Sequence, residues 1–460
     1  MGHRFDPTIL REYDIRGIVG QTLSSNDARA IGRAYAVTLA EAGGSRVAVG
    51  YDGRLTSPEL EAALVEGLAV EGVDVVRIGR GPTPMLYYAA ATCGVEGGIM
   101  VTGSHNPPDY NGFKFVFQGK SFYGAAIQKL GETALGLGTS FGRSRGRVEE
   151  HAIREDYVAR LARDYRGDRP LTVAWDAGNG ATGEVVEDLT IRLPGRHVLL
   201  NTAIDGTFPA HHPDPTIPEN LVQLQEAVAR ERCDLGIAFD GDGDRIGVVD
   251  SLGRILWGDQ LMVVLAREVL SRHPGAPILA DVKASQVLFD EIARMGGRPV
   301  MAATGHSLIK AKLAELGAPL AGEMSGHIFF ADGYYGFDDA VYVAVRLLGI
   351  LSRSRLTLAK QRDQLPAVVN TPELRFACPE TRKFEVVREV RERLRQAGAE
   401  MTDIDGVRVR RPDGWWLLRA SNTQAVLVAR AESESEEGLA HLKRELAAEL
   451  AGSGVELPDQ

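Results

Sequence analysis

Three aspartates alternate with glycines in DGDGDR at 240–245, directly after an apolar run, and we name this segment the acidic loop. In an extended segment alternate side chains share a face, so Asp240, Asp242 and Asp244 would converge, and the glycines would let the backbone approach a bound ion. Oxygen ligands without His or Cys favour Mg²⁺, and Arg245 adds a fixed fork for a phosphate. The alternatives are a solvated acidic turn, disfavoured by the preceding strand, and a calcium loop, which would need glycine where Arg245 stands.

A second segment, VTGSHNPPDYNGFKF at 101–115, is named the serine loop; it places a hydroxyl beside an imidazole, and its prolines exclude a helix or an interior strand. A serine has little nucleophilicity at its own pKa, so Ser104 needs a base, a metal or an activated phosphoryl donor. A phosphoryl group on Ser104 would bring about two negative charges, complete the metal site with its oxygen, and leave Lys114 to neutralise the remainder. The alternative is a simple turn that caps a helix.

Two further polar clusters follow along the chain. GEMSGH at 322–327 presents Glu323, Ser325 and His327 at alternating positions, which suits hydrogen bonding to a polyol but also suits an ordinary strand end. RASNTQ at 419–424 offers a guanidinium, two hydroxyls and an amide with several backbone N–H groups, which is typical of a small anion-binding turn. A helix N-cap would explain its serine or its asparagine but not its arginine. The candidate residues of this turn are Arg419, Ser421, Asn422 and Thr423.

The segments that carry these residues alternate between short β-rich runs and helical patterns. Apolar runs that end in Asp or Gly lie at 46–54, 171–180, 235–245 and 277–285. Apolar residues at three- and four-residue spacing, which predict helices, lie at 58–72, 259–273 and 338–354. This alternation predicts an α/β fold of mostly parallel sheets, whose ligands bind beyond the carboxyl ends of the strands. The segments that predict a separate C-terminal α+β domain are a helix at 382–397, three strands at 406–430 and a helix at 434–452.

Bulk composition limits the classes of protein to which this chain can belong. With 460 residues, 44% of them hydrophobic and 25% charged, the chain is typical of globular proteins and too long for one hydrophobic core. A net charge of -10 argues against general nucleic-acid binding, and no apolar run is long enough to cross a bilayer. The first residues carry no secretion or lipidation signal, and three widely separated cysteines suit a reducing compartment, so a cytoplasmic location is expected.

The set TGSHNP, DGDGDR, GEMSGH and RASNTQ, in this order and at these intervals, resembles the α-D-phosphohexomutase superfamily. GEMSGH resembles the phosphomannomutase/phosphoglucomutase branch, and the resemblance covers the whole chain. It implies a heart-shaped molecule of four domains around a central cleft, three with a related mixed α/β core and a C-terminal α+β domain like TATA-binding protein. The expected domain boundaries are 1–150, 151–254, 255–367 and 368–460. A monomer is expected, with a dimer as the alternative.

The resemblance also implies a role for each matching residue. The phosphoserine and the Mg²⁺ ligands would be Ser104, Asp240, Asp242 and Asp244. The residues implied in catalysis beside them are Arg16, Lys114, Arg245, His306 and His327. The residues implied in substrate binding are Tyr13, Lys283, Glu323, Ser325, His327, Arg419, Ser421, Asn422 and Thr423. Gln424 and Ala425 stand where the family usually has Glu and Pro, which bears on the closure of the last domain rather than on the reaction.

The implied activity is reversible phosphoryl transfer between the 1- and 6-hydroxyls of a hexose phosphate. It would proceed through phosphoserine and a hexose 1,6-bisphosphate, which serves as both intermediate and activator. Because glucose and mannose have the same O3 and O4, contacts from Glu323 and Ser325 would not distinguish them, and dual specificity is expected. Phosphoglucosamine is the alternative substrate, disfavoured by Met324 on resemblance alone.

Rival classes fit parts of the sequence. GNGATG at 178–183 follows a predicted strand like a dinucleotide-binding turn, with Asp205 at a suitable distance for a ribose contact. A dehydrogenase is nevertheless disfavoured, because Asp176 would face the pyrophosphate and Ser104 would have no task. A metal-dependent phosphatase or a non-catalytic sugar-phosphate sensor would use the same pocket. A kinase is disfavoured because the chain has no GxxxxGK[ST] segment.

Overall fold

The computed structural model describes residues 2–138, 144–422 and 424–458, which form four successive sheet units. The strands of the first unit are β1 (Ile15–Ile18), β2 (Arg46–Tyr51), β3 (Asp74–Arg80), β4 (Gly97–Val101), β5 (Tyr110–Phe117), β6 (Lys120–Ser121) and β7 (Val148–Glu150). Its helices are α1 (Ser25–Glu41), α2 (Ser57–Val70), α3 (Thr83–Thr92) and α4 (Ala125–Gly136). The sheet order is β1-β5-β4-β2-β3-β7, with β6 beside β5, and parallel pairing joins β4, β2, β3 and β7. The serine loop therefore leaves the carboxyl end of a parallel strand, β4. Its residues 110–115 belong to β5, an interior strand, contrary to the prediction for this segment, because both prolines precede the strand.

The second unit is a five-stranded sheet whose order is β12-β11-β10-β8-β9. Its elements are α5 (Arg154–Arg163), β8 (Leu171–Asp176), α6 (Gly183–Thr190), β9 (Gly195–Leu200), α7 (Val222–Glu231), β10 (Leu235–Phe239), β11 (Ile246–Asp250) and β12 (Ile255–Leu256). Strands β10, β11 and β12 pair antiparallel, although the sequence predicted mostly parallel sheets. The reason is that the acidic loop joins β10 to β11 directly and is too short for a helical crossover. The prediction of an extended acidic segment is also wrong, because the loop reverses the chain in a tight turn.

The third unit has a four-stranded sheet of order β14-β13-β15-β16. Its elements are α8 (Gly258–Arg272), β13 (Pro277–Asp281), α9 (Gln286–Arg294), β14 (Arg298–Ala302), α10 (His306–Leu316), β15 (Leu320–Gly322), β16 (Ile328–Phe330), α11 (Ala340–Arg353) and α12 (Leu358–Arg362). Strands β13, β14 and β15 are parallel, whereas β15 and β16 form an antiparallel hairpin. The segment GEMSGH is the turn of this hairpin, so its side chains are arranged by a turn and not by strand alternation.

The fourth unit is an antiparallel sheet of order β17-β22-β21-β20-β19, with β18 also beside β22. Its elements are β17 (Val369–Asn370), β18 (Leu374–Ala377), α13 (Lys383–Gln396), β19 (Met401–Thr402), β20 (Val407–Arg411), β21 (Gly414–Ala420), β22 (Val426–Ser433) and α14 (Glu436–Ala451). The two helices and three longer strands match the sequence prediction. The strands β17, β18 and β19 were not predicted, because two to four residues carry little periodicity.

One apolar core runs through the second and third units and continues into the first. It includes Trp175 of β8, Phe330 of β16 and Leu86 of α3, all at most 1% exposed. Separate cores lie within the first unit, around Ile31, and within the fourth, around Trp416. The first three units are therefore packed as one body. Among the described residues no helix has both the length and the apolar character needed to cross a bilayer.

Candidate active site

Ser104 lies in a turn just after β4, where it is 3% exposed. Its φ of 50° is in the left-handed region, which residues other than glycine rarely adopt. The hydroxyl oxygen lies 3.3 Å from Asp240 Oδ2 and 3.3 Å from Nδ1 of its neighbour His105. The fold thus brings the hydroxyl of the serine loop against the acidic loop of the second unit.

The carboxylate of Asp240 stabilises the turn of the acidic loop. Asp240 Oδ1 accepts hydrogen bonds from the backbone N–H groups of residues 243–245, at 2.9 to 3.1 Å. Close approach to the serine loop requires glycine at position 241, since a Cβ on Gly241 would lie 2.5 Å from the carbonyl oxygen of Ser104. The two loops are consequently in direct backbone contact.

The three aspartates of this loop form a cluster with unsatisfied acceptors. All three are fully buried, and one carboxylate oxygen from each lies within 4.8 Å of the others. Burial and the two neighbouring carboxylates raise the pKa of Asp240 well above its usual value. Oδ1 of Asp242 and Oδ1 of Asp244 are buried without any hydrogen bond among the described residues. Such orphaned oxygens, with no nitrogen or sulfur in the set, fit a hard divalent cation.

Lys114, in the middle of β5, supplies a buried positive charge to the same cluster. Its Nζ donates to Asp242 Oδ2 at 2.7 Å and to Asp244 Oδ2 at 2.5 Å. Burial alone would lower the pKa of this lysine, but the charges of the three aspartates raise it above its usual value. Thr83, which the sequence did not single out, donates its hydroxyl to Asp242 Oδ2 at 2.5 Å. In the sequence, only the position of this threonine at the start of α3 distinguished it from other threonines.

Arg16 approaches the serine loop from the neighbouring strand β1. Its Nη1 donates to the carbonyl oxygen of Gly103 at 3.0 Å and to the side chain of Asn106, and its Nη2 pairs with Asp14. The guanidinium is buried, and its Nε has no acceptor among the described residues. The Nε–H of Arg16, whose guanidinium is fixed next to Ser104, can therefore still donate to an anion.

Two stacked histidines occupy the third unit's side of the cluster. The rings of His306 and His327 are 5.4 Å apart at 17°, and Asp338 Oδ2 lies 3.0 Å from His327 Nδ1 and 3.5 Å from His306 Nδ1. Lys310 donates to the other oxygen of this carboxylate at 3.0 Å. Arg245 Nε donates to His327 Nε2 at 3.0 Å. Since an arginine only donates, His327 carries its hydrogen on Nδ1, the ring nitrogen that lies 3.0 Å from Asp338 Oδ2.

Asp338 is the main functional residue that sequence reasoning missed. It stands next to Asp339, which caps α11 by accepting the backbone N–H of Tyr342 at 2.9 Å. One aspartate suffices for a helix cap, so the second in GFDDA was an available signal.

The predicted sugar-binding residues lie in the turn between β15 and β16. Ser325 donates its hydroxyl to Glu323 Oε2 at 3.2 Å, while Oε1 of the same carboxylate is buried with no partner among the described residues. Burial lowers the pKa of Arg245, but nearby carboxylates, Glu323 among them, raise it overall. Burial raises the pKa of Tyr13, and the Glu323 carboxylate adds to that rise. Glu323 is therefore an acceptor that faces the cluster from the third unit.

The first, third and fourth units meet at Tyr13. Asn422 Nδ2 donates to the hydroxyl of Tyr13 at 2.6 Å, and this hydroxyl donates to the carbonyl oxygen of Thr304 at 3.0 Å. Burial raises the pKa of Tyr13 to about 12. Arg419 Nε donates to Asp405 Oδ2 at 2.9 Å, and the same oxygen accepts the backbone N–H of Thr304 at 3.0 Å. These contacts hold the predicted anion-binding turn against the first and third units.

The rest of this turn lies between β21 and β22. Ser421 Oγ accepts the backbone N–H of Gln424 at 3.2 Å, and Lys383 Nζ donates to the carbonyl oxygen of Ser421 at 2.6 Å. Thr423, a predicted phosphate ligand, lies outside the described residues. The Gln424 amide oxygen accepts from Arg375 Nη2 at 2.7 Å, so the residue in place of the usual Glu still binds the fourth unit's framework.

Lys283 stands apart from the cluster around Ser104. Its Nζ lies 2.9 Å from Glu373 Oε2 and 3.9 Å from Asp281 Oδ2. Against burial, Lys283 and Arg375 lower the pKa of Glu373 to about 2. No hydrogen bond or ion pair within the described ranges joins Lys283 to Ser104. The predicted site residues therefore form two groups, one around Ser104 and one at the fourth unit, with Tyr13 and Glu323 between them.

The glycine-rich segment at 178–183 packs on the acidic loop. The backbone N–H of Ala181 donates to the carbonyl oxygen of Gly241 at 2.9 Å. Asp205, the ribose ligand of the dehydrogenase alternative, accepts both the backbone N–H and the hydroxyl of Thr207. This segment thus has a structural role at the cluster, which removes the main reason for considering a dinucleotide.

Comparison with known proteins extends over the whole chain. Family models described as phosphoglucomutase/phosphomannomutase, alpha/beta/alpha domains I, II and III, match residues 7–135, 155–253 and 257–369, and the C-terminal domain of the same description matches 373–449. The phosphomannomutase/phosphoglucomutase of Pseudomonas aeruginosa is 44% identical over 451 residues, covering 98% of this chain and 97% of that protein. The phosphoglucomutase of Neisseria gonorrhoeae is 43% identical over 438 residues, covering 95% of both. A crystal structure of a Burkholderia thailandensis phosphoglucomutase/phosphomannomutase family protein matches with a TM-score of 0.93 at 44% identity, covering 99% of this chain and 100% of that one.

Proposed function

The chain belongs to the phosphoglucomutase/phosphomannomutase family and is a phosphohexomutase, and from this premise we propose that Ser104 carries the phosphoryl group it exchanges with mannose and glucose phosphates. The observation that carries the proposal is the 3.3 Å approach of Ser104 Oγ to Asp240 Oδ2 in a buried cluster. Relatives that bear the names of both mutases support the two sugars. Phosphoglucosamine stays the alternative substrate to be tested.

Each half-reaction moves one phosphoryl group. A hydroxyl oxygen of a hexose monophosphate forms a bond to the phosphorus on Ser104, the bond from phosphorus to Ser104 Oγ breaks, and the hydroxyl proton passes to a base. The product is a hexose 1,6-bisphosphate, which turns end for end. Its other phosphoryl group then returns to Ser104, so the enzyme ends as it began.

Catalysis in such a transfer is mainly positioning and charge stabilisation. Asp240, Asp242 and Asp244, completed by an oxygen at Ser104, would hold a divalent cation, for which the all-oxygen set favours Mg²⁺. When bound, this cation would supply positive charge beside the phosphoryl oxygens. The chain's own cations do the same from other directions, and these are Arg16, Lys114 and Arg245.

The hydrogen bonds support an assignment of the proton carriers. Lys114 Nζ donates to two carboxylates and is therefore an ammonium. A cation bound by the same carboxylates would offset the charges that raise the pKa of Lys114, and so suit it as an acid that returns a proton to the leaving oxygen. His327 Nε2 accepts from Arg245 Nε and therefore has a lone pair, which suits a base once Arg245 turns to the phosphoryl group. His306 stacks on His327 and would keep this ring in place.

Recognition must work for either end of the sugar phosphate. The unpartnered Oε1 of Glu323, with Ser325 beside it, would accept and donate to hydroxyls that glucose and mannose share. The phosphate that is not reacting would bind at the second group of residues together with Tyr13 beside it. The residues of that group are Lys283, Arg419, Ser421, Asn422 and Thr423. All these residues belong to one chain, so the proposal requires no second copy. The reducing environment suited to three separated cysteines supports a cytoplasmic location.

Intact-mass measurement tests the role of Ser104. A fraction of the parent protein should be one phosphoryl group heavier, and this species should be absent from Ser104→Ala but present in Ser121→Ala, a control from the same sheet. Persistence of the heavier species in Ser104→Ala would refute the assignment. Turnover of the 1-phosphates of mannose, glucose and glucosamine, with catalytic hexose 1,6-bisphosphate, then decides the sugar. Release of inorganic phosphate without isomerisation would favour a phosphatase.

A further inference from the structure

Arg54 is a buried cation beneath the serine loop. Its side chain has no exposed surface, and its guanidinium donates to four backbone carbonyl oxygens of this one loop. The four acceptors are the carbonyl oxygens of Ser104 at 2.7 Å, Asn106 at 2.6 Å, Pro107 at 2.5 Å and Tyr110 at 3.0 Å. A lysine has three donors on one atom and cannot span acceptors this far apart, so the planar fork of arginine is required.

Asp52 reaches the same loop through a threonine. Its Oδ2 accepts the hydroxyl of Thr102 at 2.8 Å and the backbone N–H of Gly103 at 3.1 Å. The Thr102 hydroxyl oxygen in turn accepts the backbone N–H of Ser104 at 2.8 Å. Asp52 Oδ2 also lies 3.3 Å from Arg54 Nε, so an ion pair joins the residue that holds Thr102 to the residue that holds the carbonyl oxygens of the serine loop.

Residues of the second unit also contact Arg54. The ring of Phe208 lies 5.2 Å from the Arg54 guanidinium, and Phe208 itself has a φ of 52°. A Cβ on Gly206 would lie 2.7 Å from the Arg54 Cα, so the backbones touch. Arg54 is therefore fixed by both units that contribute to the Ser104 cluster.

These contacts bear on the strained backbone of Ser104. A non-glycine residue in the left-handed region is strained and persists only where its surroundings over-determine it. Here the N–H of Ser104 is held by Thr102 and its carbonyl by Arg54, so both backbone polar groups of the residue are oriented. The direction of Cα–Cβ, and with it the reach of Oγ toward Asp240, follows from this orientation.

We propose that Asp52, Arg54 and Thr102 are positioning residues for phosphoryl transfer, which hold Ser104 in the left-handed conformation that aims its oxygen at the acidic loop. None of the three touches the reacting atoms in this arrangement. The inference rests on the proposed role of Ser104 as phosphoryl carrier. It predicts a loss in the transfer step with little change in substrate binding.

The first test uses Thr102→Val, which keeps the side-chain shape and removes the bridging hydroxyl, and Thr102→Ser, which restores it. We expect Thr102→Val to lower kcat and the rate of Ser104 phosphorylation by hexose 1,6-bisphosphate, followed by quenched intact mass, by about 10²-fold. The KM for the monophosphate should change by less than about threefold, and Thr102→Ser should recover most of the rate. Equal rates in Thr102→Val and the parent, or no recovery in Thr102→Ser, would overturn the proposal.

The second test compares Arg54→Lys with Arg160→Lys. Arg160 is a matched control, because it is also buried and donates to a backbone carbonyl, that of Gly333 at 2.6 Å, but far along the chain from the serine loop. Only Arg54→Lys should lose phosphorylation rate beyond its loss of thermal stability. Similar losses in both variants would overturn the positioning role. A parent protein without phosphoserine would instead refute the proposed function, and the inference with it.

Discussion

Replacing Lys114 by methionine removes one buried positive charge and keeps most of the side-chain volume. The ammonium lies 2.7 Å from Asp242 Oδ2 and 2.5 Å from Asp244 Oδ2, and all three side chains are at most 5% exposed. Removing one partner of a buried ion pair commonly costs about 3–5 kcal/mol, because the remaining charge is left uncompensated. We expect a loss of this order in the free energy of unfolding of the cation-free protein.

With a divalent cation bound by the same carboxylates, the loss of Lys114 would be favourable, because the ammonium of Lys114 repels the cation. Two unit charges about 4 Å apart interact by about 4 kcal/mol at an effective dielectric constant of 20. Relaxation, and protonation of the uncompensated carboxylates, will remove part of this gain. We therefore expect Lys114→Met to bind Mg²⁺ at least about tenfold more tightly than the parent, which corresponds to about 1.4 kcal/mol.

The assay follows the thermal unfolding midpoint as Mg²⁺ is added to EDTA-treated protein at mildly alkaline pH. The midpoint of Lys114→Met should start lower than that of the parent and rise more steeply, because a ligand stabilises by RT ln(1 + [L]/Kd). Lys312→Met, which alters an exposed lysine paired with Glu315, should follow the parent. Asp242→Asn should respond weakly. Turnover of Lys114→Met should stay about 10²- to 10⁴-fold low even with saturating Mg²⁺, since its proton donor is gone.

Identical Mg²⁺ dependence in the parent and Lys114→Met would refute the reasoning that lysine and cation share carboxylates. A normal response in Asp242→Asn would show that the cation binds elsewhere. Turnover restored by Mg²⁺ in Lys114→Met would remove the lysine from proton transfer but leave the electrostatic argument intact.

Two further outcomes are expected. Asp338→Asn should lower kcat about 10²-fold for both sugars in steady-state assays. The reason is that an amide N–H facing His327 Nδ1 would drive the ring hydrogen to Nε2, where it would meet the N–H of Arg245. Turnover near that of the parent would contradict this prediction. Glu373 has its pKa lowered from 4.5 to about 2, so its carboxylate contributes up to about 3 kcal/mol of stability. That stabilising contribution is complete at pH values above the pKa of Glu373 in the unfolded state, and it is lost as the pH falls through the pKa of Glu373 in the folded state. Urea unfolding should therefore show the cost of Glu373→Gln near neutral pH and its disappearance in acid; a pH-independent cost would count against the pairing with Lys283.

Local sequence determined most of the secondary structure. The helix predicted at 58–72 is Ser57–Val70, and the helix predicted at 259–273 is Gly258–Arg272. Apolar periodicity sets such elements, and a proline in the first turn of α2 marks its start. These signals depend only on neighbours along the chain, so they can be interpreted without knowledge of the fold.

Sequence also identified the two loops that the structure brings into contact, since TGSHNP places a hydroxyl beside an imidazole and DGDGDR offers three carboxylates after an apolar strand. The charge of a phosphoryl group on Ser104 predicted a partnership with the acidic loop, and the resemblance to a family assigned each residue its expected role. The family itself is confirmed by the comparisons, which cover nearly all of the chain.

Only the tertiary structure decided how these loops meet. Ser104 and Asp240 are 136 residues apart, and Tyr13 and Asn422 are 409 apart, so no local pattern relates them. The partners of Lys114 come from a loop of a different sheet. The carboxylate of Asp338 beside two histidines, and the four carbonyls around Arg54, each bring together distant segments of the chain within one unit. A side chain's conformation and pKa depend on what burial brings beside it, and that is settled by the packing of the whole chain.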